Sequence, residues 1–287
     1  AKSGLNCAAV NILSRSHQEI QCYHPAADIR FGEEHRDEIF NVNLGGTRHL
    51  LDLLSDVGIA RLHYISTAYV GGDRKGEVKE DELRAGQKFR NPYEESKFWA
   101  EELIHVHTKN SGPLTTIYRP SIVIGDSGTG VTGSFAGYYS YMRAFALLKR
   151  EVARELGKQP EAYRQEDIYS RDGKLHLPLV IWGSPEAAIN LVCIDYVVNL
   201  IERLSAMPNA GGKTFHVVNP SPPEAQQLLE DSLEALEISG VQLLDAQTMR
   251  DNLDLIKRLV VKTSIIDAIK RFFFMFFGNK YRERFSN

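Results

Sequence analysis

Cysteine is scarce in this sequence. Cys7, Cys22 and Cys193 are the only three in 287 residues, and no two form a CxxC pair. An odd, scattered set excludes a disulfide framework and a thiolate zinc cluster, and it points to a reducing, cytoplasmic compartment. Histidine is no better arranged for a metal. There is no HExxH, and His105 and His107 are two apart, so on a helix they point to different sides. No metal site is expected. GxSxG is absent, which removes a hydrolase nucleophile elbow. No apolar run approaches the roughly 20 residues of a membrane span. Basic charge is not in excess: 34 Lys and Arg against 37 Asp and Glu leave a net charge of −3, which argues against a nucleic-acid partner. Neither a signal peptide nor an initiator Met opens the chain, and AKSGLNCAAV reads like the middle of a longer sequence.

What is present is an ordinary globular composition, 43% hydrophobic and 25% charged, enough to bury a core. The length allows one large α/β domain or about two of average size. Strand-like and helix-like segments alternate. Residues 19–23, 61–67, 114–125, 177–183 and 213–219 read as strands. Residues 32–58, 91–109, 195–204 and 222–238 read as helices, the second starting after Asn-Pro. This order predicts an α/β fold with a doubly wound parallel sheet. The stretch 134–176, polar, aromatic and irregular, reads as an insertion or lid outside the sheet. Residues 1–133 are expected to form a nucleotide-binding part. Residues 134–287 are expected to form a smaller substrate lobe, with strands near 177–183 and 213–219 returning to the sheet.

Chemistry concentrates in three places. Tyr93 and Lys97 are four apart in NPYEESKFWAEEL, so both lie on one helix face. An ammonium beside a phenol favours the phenolate, which lets the tyrosine exchange a proton with a carbonyl oxygen near neutral pH. Ser66 and Thr67 end a strand, the place where open α/β sheets bind ligands. FNVNLGGT puts two Asn and two Gly, poor helix formers, inside a helical pattern. A kink, a close backbone approach or a polar contact would explain them. GTGVTG (128–133) matches GxGxxG by letter, but it follows the Tyr93 helix instead of preceding it. Its glycines are expected to turn a substrate-side loop.

Taken in order, HPAAD, NVNLGGT, STAYVGG, NPYEESKFWAEELI, YRPSIVIGDSGTG and NLVCIDYVV resemble the extended short-chain dehydrogenase/reductases, the NAD-dependent epimerase/dehydratase superfamily. The likeness covers most of residues 20–235. It is nearest to the branch of fatty acyl reductases, male-sterility proteins and thioester reductase domains. The resemblance implies a Rossmann-like sheet with NAD or NADP as cofactor, NADPH favoured. Thr67 then holds a carbonyl oxygen, with Ser66 as second choice, and Tyr93 is the general acid/base. Lys97 lowers the pKa of Tyr93 and binds the nicotinamide ribose. Ala26, Ala27, Asn43, Tyr118 and Pro120 contact the cofactor. Pro25 stands where the family commonly has Asn.

That family opens with a strand, a GxxGxxG turn and a helix, followed by two further βα units. None of these precedes Ala26, so the chain is expected to lack the first β-α-β-α-β portion, and the choice between NAD and NADP is not legible. The reaction implied is hydride transfer to an acyl thioester or aldehyde, with a small molecule or an acyl carrier protein bringing the substrate. A nucleotide-sugar epimerase or dehydratase, or a non-catalytic NAD(P)-binding relative, is the alternative. The tail 255–285 is apolar and cationic. Packing on the substrate lobe is the favoured reading over an acyl pocket wall, a membrane contact or a carrier dock.

Overall fold

The computed structural model describes residues 20–248, apart from Ser111, Ala136, Ala246 and the side chain of Trp182. Cys7 and the tail 255–285 therefore lie outside the described residues. The strands are β1 (Gln21–His24), β2 (Arg61–Ile65), β3 (Leu114–Pro120), β4 (Ile122–Ile124), β5 (Tyr169–Arg171), β6 (Lys174–His176), β7 (Val180–Trp182), β8 (Leu191–Cys193), β9 (Thr214–Val217), β10 (Ile238–Ser239) and β11 (Gln242–Leu244). The α-helices are α1 (Arg36–Phe40), α2 (Gly46–Val57), α3 (Pro92–Lys109), α4 (Tyr138–Leu156), α5 (Pro160–Arg164), α6 (Ile194–Ser205) and α7 (Ala225–Ala235). The described residues divide into two compact units, one of residues up to 130 with 191–220 and the other of 131–190 with those from 221 on.

The first unit is built on a sheet ordered β1-β2-β3-β9, and every pairing is parallel. Both faces are covered. Leu51 and Leu54 of α2 and Ala100 and Ile104 of α3 pack on Leu62, Tyr64 and Ile117 from one side. Val197 of α6, with Val192 and Val217, packs on Tyr118 from the other. A parallel sheet buried on both faces by crossover helices is the doubly wound arrangement expected from the sequence. The long strand read at 114–125 breaks at Ser121: β3 stays in the sheet, while β4 pairs in parallel with β8.

Local sequence sets the helix ends. Asn91 caps α3, its side chain accepting the Glu94 N–H at 2.9 Å, and Pro92 occupies the first turn, where its missing N–H costs nothing. Gly58 ends α2 in the left-handed region, φ +72°, with the Ile59 N–H reaching back to Leu54 O at 2.9 Å. Between α1 and α2 the helix widens into a π-helical turn over Asn41–Gly45, which accounts for the Asn and Gly residues of FNVNLGGT.

In the second unit, residues expected to be irregular form α4, whose Phe145, Leu148 and Val152 line a core with Leu175, Leu229 and Leu233. Asp172 and Gly173, both at positive φ, make the two-residue turn that joins antiparallel β5 and β6. The strand read at 177–183 is confined to β7, and it pairs with β11 instead of returning to the main sheet. β9, by contrast, joins that sheet beside β3.

Candidate active site

The carboxyl ends of β1, β2 and β3, with the first turns of α3, bring most of the candidate residues together. Strand pairing continues one residue past β2, where the Ser66 N–H donates to Tyr118 O at 2.7 Å. Thr67 follows in extended conformation and is buried. Its hydroxyl accepts from the Tyr69 N–H at 3.3 Å and donates to Pro120 O at 3.5 Å, which fixes the oxygen at the strand end. The α3 cap points Tyr93, Lys97 and Glu101 at successive turns of one stripe.

Lys97 is 1% exposed. Its ammonium donates to Ile65 O at 2.7 Å and sits 4.1 Å from the centre of the Tyr64 ring. Burial pulls its pKa down to about 7, and Glu101 acts in the opposite direction. Tyr93 is half-buried, its ring 5.9 Å from that of Phe31. Burial pushes the phenol up, the Thr67 hydroxyl pulls it back, and Glu94 pushes it further up. Lys97 is not among these influences. The two side chains share a helix face, and the Lys97 ammonium is directed at Ile65 O. The ammonium is turned toward the end of β2, and the phenol stays protonated at neutral pH.

The residues expected to meet a cofactor divide into two groups. Ala26 is exposed and Ala27 half-buried in the loop that leaves β1, and Pro120 is buried with its carbonyl toward Thr67. These lie at the same sheet edge as Lys97. Asn43 and Tyr118 are buried and bonded within the unit. Asn43 is 1% exposed, and its amide is fully engaged. Oδ1 accepts the Asp28 N–H at 2.7 Å, while Nδ2 donates to Asp28 O and Ser96 Oγ, both at 2.9 Å. It ties the loop after β1 to α3. Tyr118 is fully buried on the α6 side of the sheet, its hydroxyl 3.0 Å from His63 Nδ1. Strand alternation, which turns its neighbours Ile117 and Arg119 to the α3 side, turns Tyr118 away from Tyr93.

Several functional groups escaped the sequence reading. Glu101 and Arg119 form a buried ion pair behind Lys97. An arginine inside the apolar strand TTIYRPSIV is the signal for such a pair, because a charge at that position needs a partner. Ser121 Oγ, at the break between β3 and β4, is buried with no hydrogen-bond partner among the described residues. His24, at the end of β1, is held neutral, its pKa lowered to about 4 by burial and then by Lys97.

These residues fit the ribose and nicotinamide end of a dinucleotide. An ammonium carries three donors, and Lys97 directs one at Ile65 O, which leaves two for a diol. Among the described residues Ser121 Oγ is a buried group without a partner, three residues past Tyr118 and beside Pro120. A cleft of about 620 Å³ in the same unit is lined by Ser127, Cys193, Asp195, Tyr196, Arg203 and Asn219 among others, and none of Thr67, Tyr93 and Lys97 belongs to it. Beside it Asp126 Oδ1 accepts the N–H groups of Gly128 and Thr129, and Gly130 takes φ +68°, so this part of GTGVTG makes a closed turn. Among the described residues no His, Cys, Asp and Glu cluster could hold a metal, and no helix is long and apolar enough to cross a membrane.

Residues 4–201 match the family model described as male sterility protein. A nonribosomal peptide synthetase, asaC of Aspergillus flavus, is 26% identical over 235 residues, which is 77% of this chain and 19% of that protein. UDP-glucose 4-epimerase of Bos taurus is 28% identical over 230 residues, 73% of this chain and 64% of that one. Among solved structures, the terminal R domain from the myxalamid PKS-NRPS biosynthetic pathway superposes with a TM-score of 0.63 at 25% identity, covering 92% of this chain and 61% of that one. The chain thus spans about a fifth of the synthetase and about three fifths of the R domain. Other structures of this fold contain NADPH or NAD.

Proposed function

Because this chain belongs to the male sterility protein family of extended short-chain dehydrogenase/reductases, we propose that it carries the reducing centre of an NAD(P)-dependent oxidoreductase acting on an acyl thioester or aldehyde. One observation supports this most. A buried lysine, with one hydrogen bond to a backbone carbonyl among the described residues, stands one helical turn from a protonated tyrosine that faces a strand-end threonine hydroxyl.

Lys97 would hold the nicotinamide ribose through its two remaining hydrogens, and Ser121 Oγ and the backbone at Ala26, Ala27 and Pro120 would line the same end. The bound cofactor supplies a hydride to the carbonyl carbon. Thr67 Oγ1 would turn its proton from the long 3.5 Å contact with Pro120 O to the carbonyl oxygen. Tyr93, protonated because burial raises its pKa, gives its proton to that oxygen as charge develops there. From a thioester the product is a hemithioacetal, which releases a thiol and leaves an aldehyde. The residues of 131–190 and 221–287 would form the substrate lobe, and NADPH is the favoured cofactor. The synthetase and R-domain relatives support a substrate delivered on a carrier protein. The likeness to UDP-glucose 4-epimerase supports a second reading, a nucleotide-sugar epimerase built on the same three residues.

The test is turnover of NADPH and NADH with acyl-CoA, aldehyde and UDP-sugar substrates. The reductase reading predicts stoichiometric NADPH oxidation with a thioester or aldehyde. An epimerase would interconvert sugars with no net cofactor consumption. No turnover with any substrate, together with no effect of Tyr93→Phe, sinks both readings.

A further inference from the structure

Behind Lys97, one carboxylate gathers four segments of the first unit. Glu101 is wholly buried on α3, one turn beyond Lys97 and two beyond Tyr93. Its Oε2 accepts Arg119 Nη2 at 2.8 Å and Nε at 3.2 Å, and its Oε1 accepts Nε at 3.1 Å. The Ser66 hydroxyl, from the end of β2, also donates to Oε1. Arg119, itself 1% exposed on β3, extends its other nitrogen to Glu82 O at 3.1 Å and Glu80 O at 3.3 Å, with His216 Nε2 at 3.5 Å. Those two carbonyls belong to the long connection that separates Thr67 from Tyr93 in sequence. The Glu80 carboxylate accepts the His216 N–H of β9 at 2.7 Å, which closes the circuit.

We propose that Glu101 is a positioning residue for the site: through Arg119 and Ser66 it fixes α3 against β2, β3 and the connection before α3, and its shared charge is the counter-ion of Lys97. The inference rests on the reading of Lys97 as part of the reducing centre. A buried ion pair is weak evidence for stability, because well-packed apolar residues often replace one without loss. Rigid placement is what apolar side chains would not supply here. The bidentate fork has one geometry, and its partners come from the strand that ends in Thr67, the helix that carries Tyr93, and the chain that joins them.

Electrostatics follows from the same geometry. One negative charge, on Glu101, serves two buried cations, Arg119 and Lys97. Every other titratable group turned to Lys97 is uncharged at neutral pH. These are Tyr93 on its own helix, Tyr64 of β2 under the ammonium, and His24 of β1, which burial keeps neutral. Glu101 is therefore the group that holds Lys97 toward the ammonium against its burial.

The experiment follows the Lys97 side-chain 13Cε resonance against pH in the labelled full chain, assigned by its loss in Lys97→Arg, without cofactor or substrate. In Glu101→Gln the Lys97 midpoint should fall by about one on the pH scale or more, and in Glu101→Asp it should stay near wild type. If Glu101→Gln strands Arg119 and does not fold, the double variant Glu101→Gln/Arg119→Met removes both charges and should show a smaller fall, because loss of the Arg119 cation partly offsets loss of the carboxylate. Arg119→Lys keeps the charge but loses the fork. It should leave the Lys97 midpoint in place and speed hydrogen exchange of the amides in 73–88 several-fold. An unchanged Lys97 midpoint in a folded variant lacking Glu101 overturns the electrostatic half. Unchanged exchange in Arg119→Lys overturns the positioning half. Turnover enters neither measurement, so a failure here is told apart from a failure of the proposed reaction, which Tyr93→Phe tests.

Discussion

Lys97 enters the folded protein as an ammonium with 1% exposure, and the cost of that burial can be read against pH. Its pKa is 10.5 in the open chain and about 7 when folded. Between those values the unfolded state binds more protons than the folded state, so stability rises with pH across the window. The burial penalty is complete below about pH 7 and fades as pH climbs toward 10.5. A difference of one pKa unit corresponds to about 1.4 kcal/mol, so the penalty is about 5 kcal/mol near pH 6 and about 2 kcal/mol near pH 9. Lys97→Met removes the titrating group. It also leaves Ile65 O without its donor and the Tyr64 ring without its cation, but those losses shift stability by an amount that does not vary with pH. Urea unfolding of both proteins from about pH 6 to about pH 9 should therefore show wild type gaining about 3 kcal/mol relative to Lys97→Met. Parallel stability curves across that range would refute the account, because Lys97 would then not be titrating where its burial requires.

Asn43→Ala should lower stability by about 2 kcal/mol or more, since it strands the Asp28 backbone and Ser96 inside the structure, with urea unfolding as the check. Loss of cofactor affinity at unchanged stability would return Asn43 to the role of ligand. Tyr118→Phe should cost about 1 kcal/mol through the lost bond to His63 and leave NADPH affinity unchanged by fluorescence titration. A weakened affinity at full stability would put Tyr118 back in the cofactor pocket.

Much of the first unit was legible because its sequence obeys simple rules. The Asn-Pro start and acidic first turn announced α3, and apolar runs ending in small polar residues announced β2 and β3. The helix α4 was missed because its core residues Phe145, Leu148 and Val152 are set among Tyr, Arg and Lys, so that the stretch reads as polar unless the three- and four-residue spacing is counted. Faces were harder than elements. β3 is buried on both sides through Pro120, so its sequence shows no in-out alternation, and nothing in it tells that Arg119 points to Tyr93's helix and Tyr118 away from it. The burial of Asn43 was hidden for another reason. Its partners lie 15 and 53 residues away, and they meet only because a π-helical turn re-aims the side chain. The influence of Lys97 on Tyr93 was inferred from their spacing and from the family resemblance. Sharing a helix face does not fix where a four-carbon side chain directs its charge, and here that is the carbonyl of Ile65.

The central claim is that Tyr93 gives the proton and a nicotinamide gives the hydride to one carbonyl. The most direct measurement supplies the full-length protein with NADPH deuterated at the transferable position and an acyl thioester, and locates the label by mass spectrometry. Deuterium on the former carbonyl carbon is the predicted result, with the rate reduced about 100-fold or more in Tyr93→Phe. Cofactor oxidation without label in the product, or full label transfer at the wild-type rate in Tyr93→Phe, would contradict it.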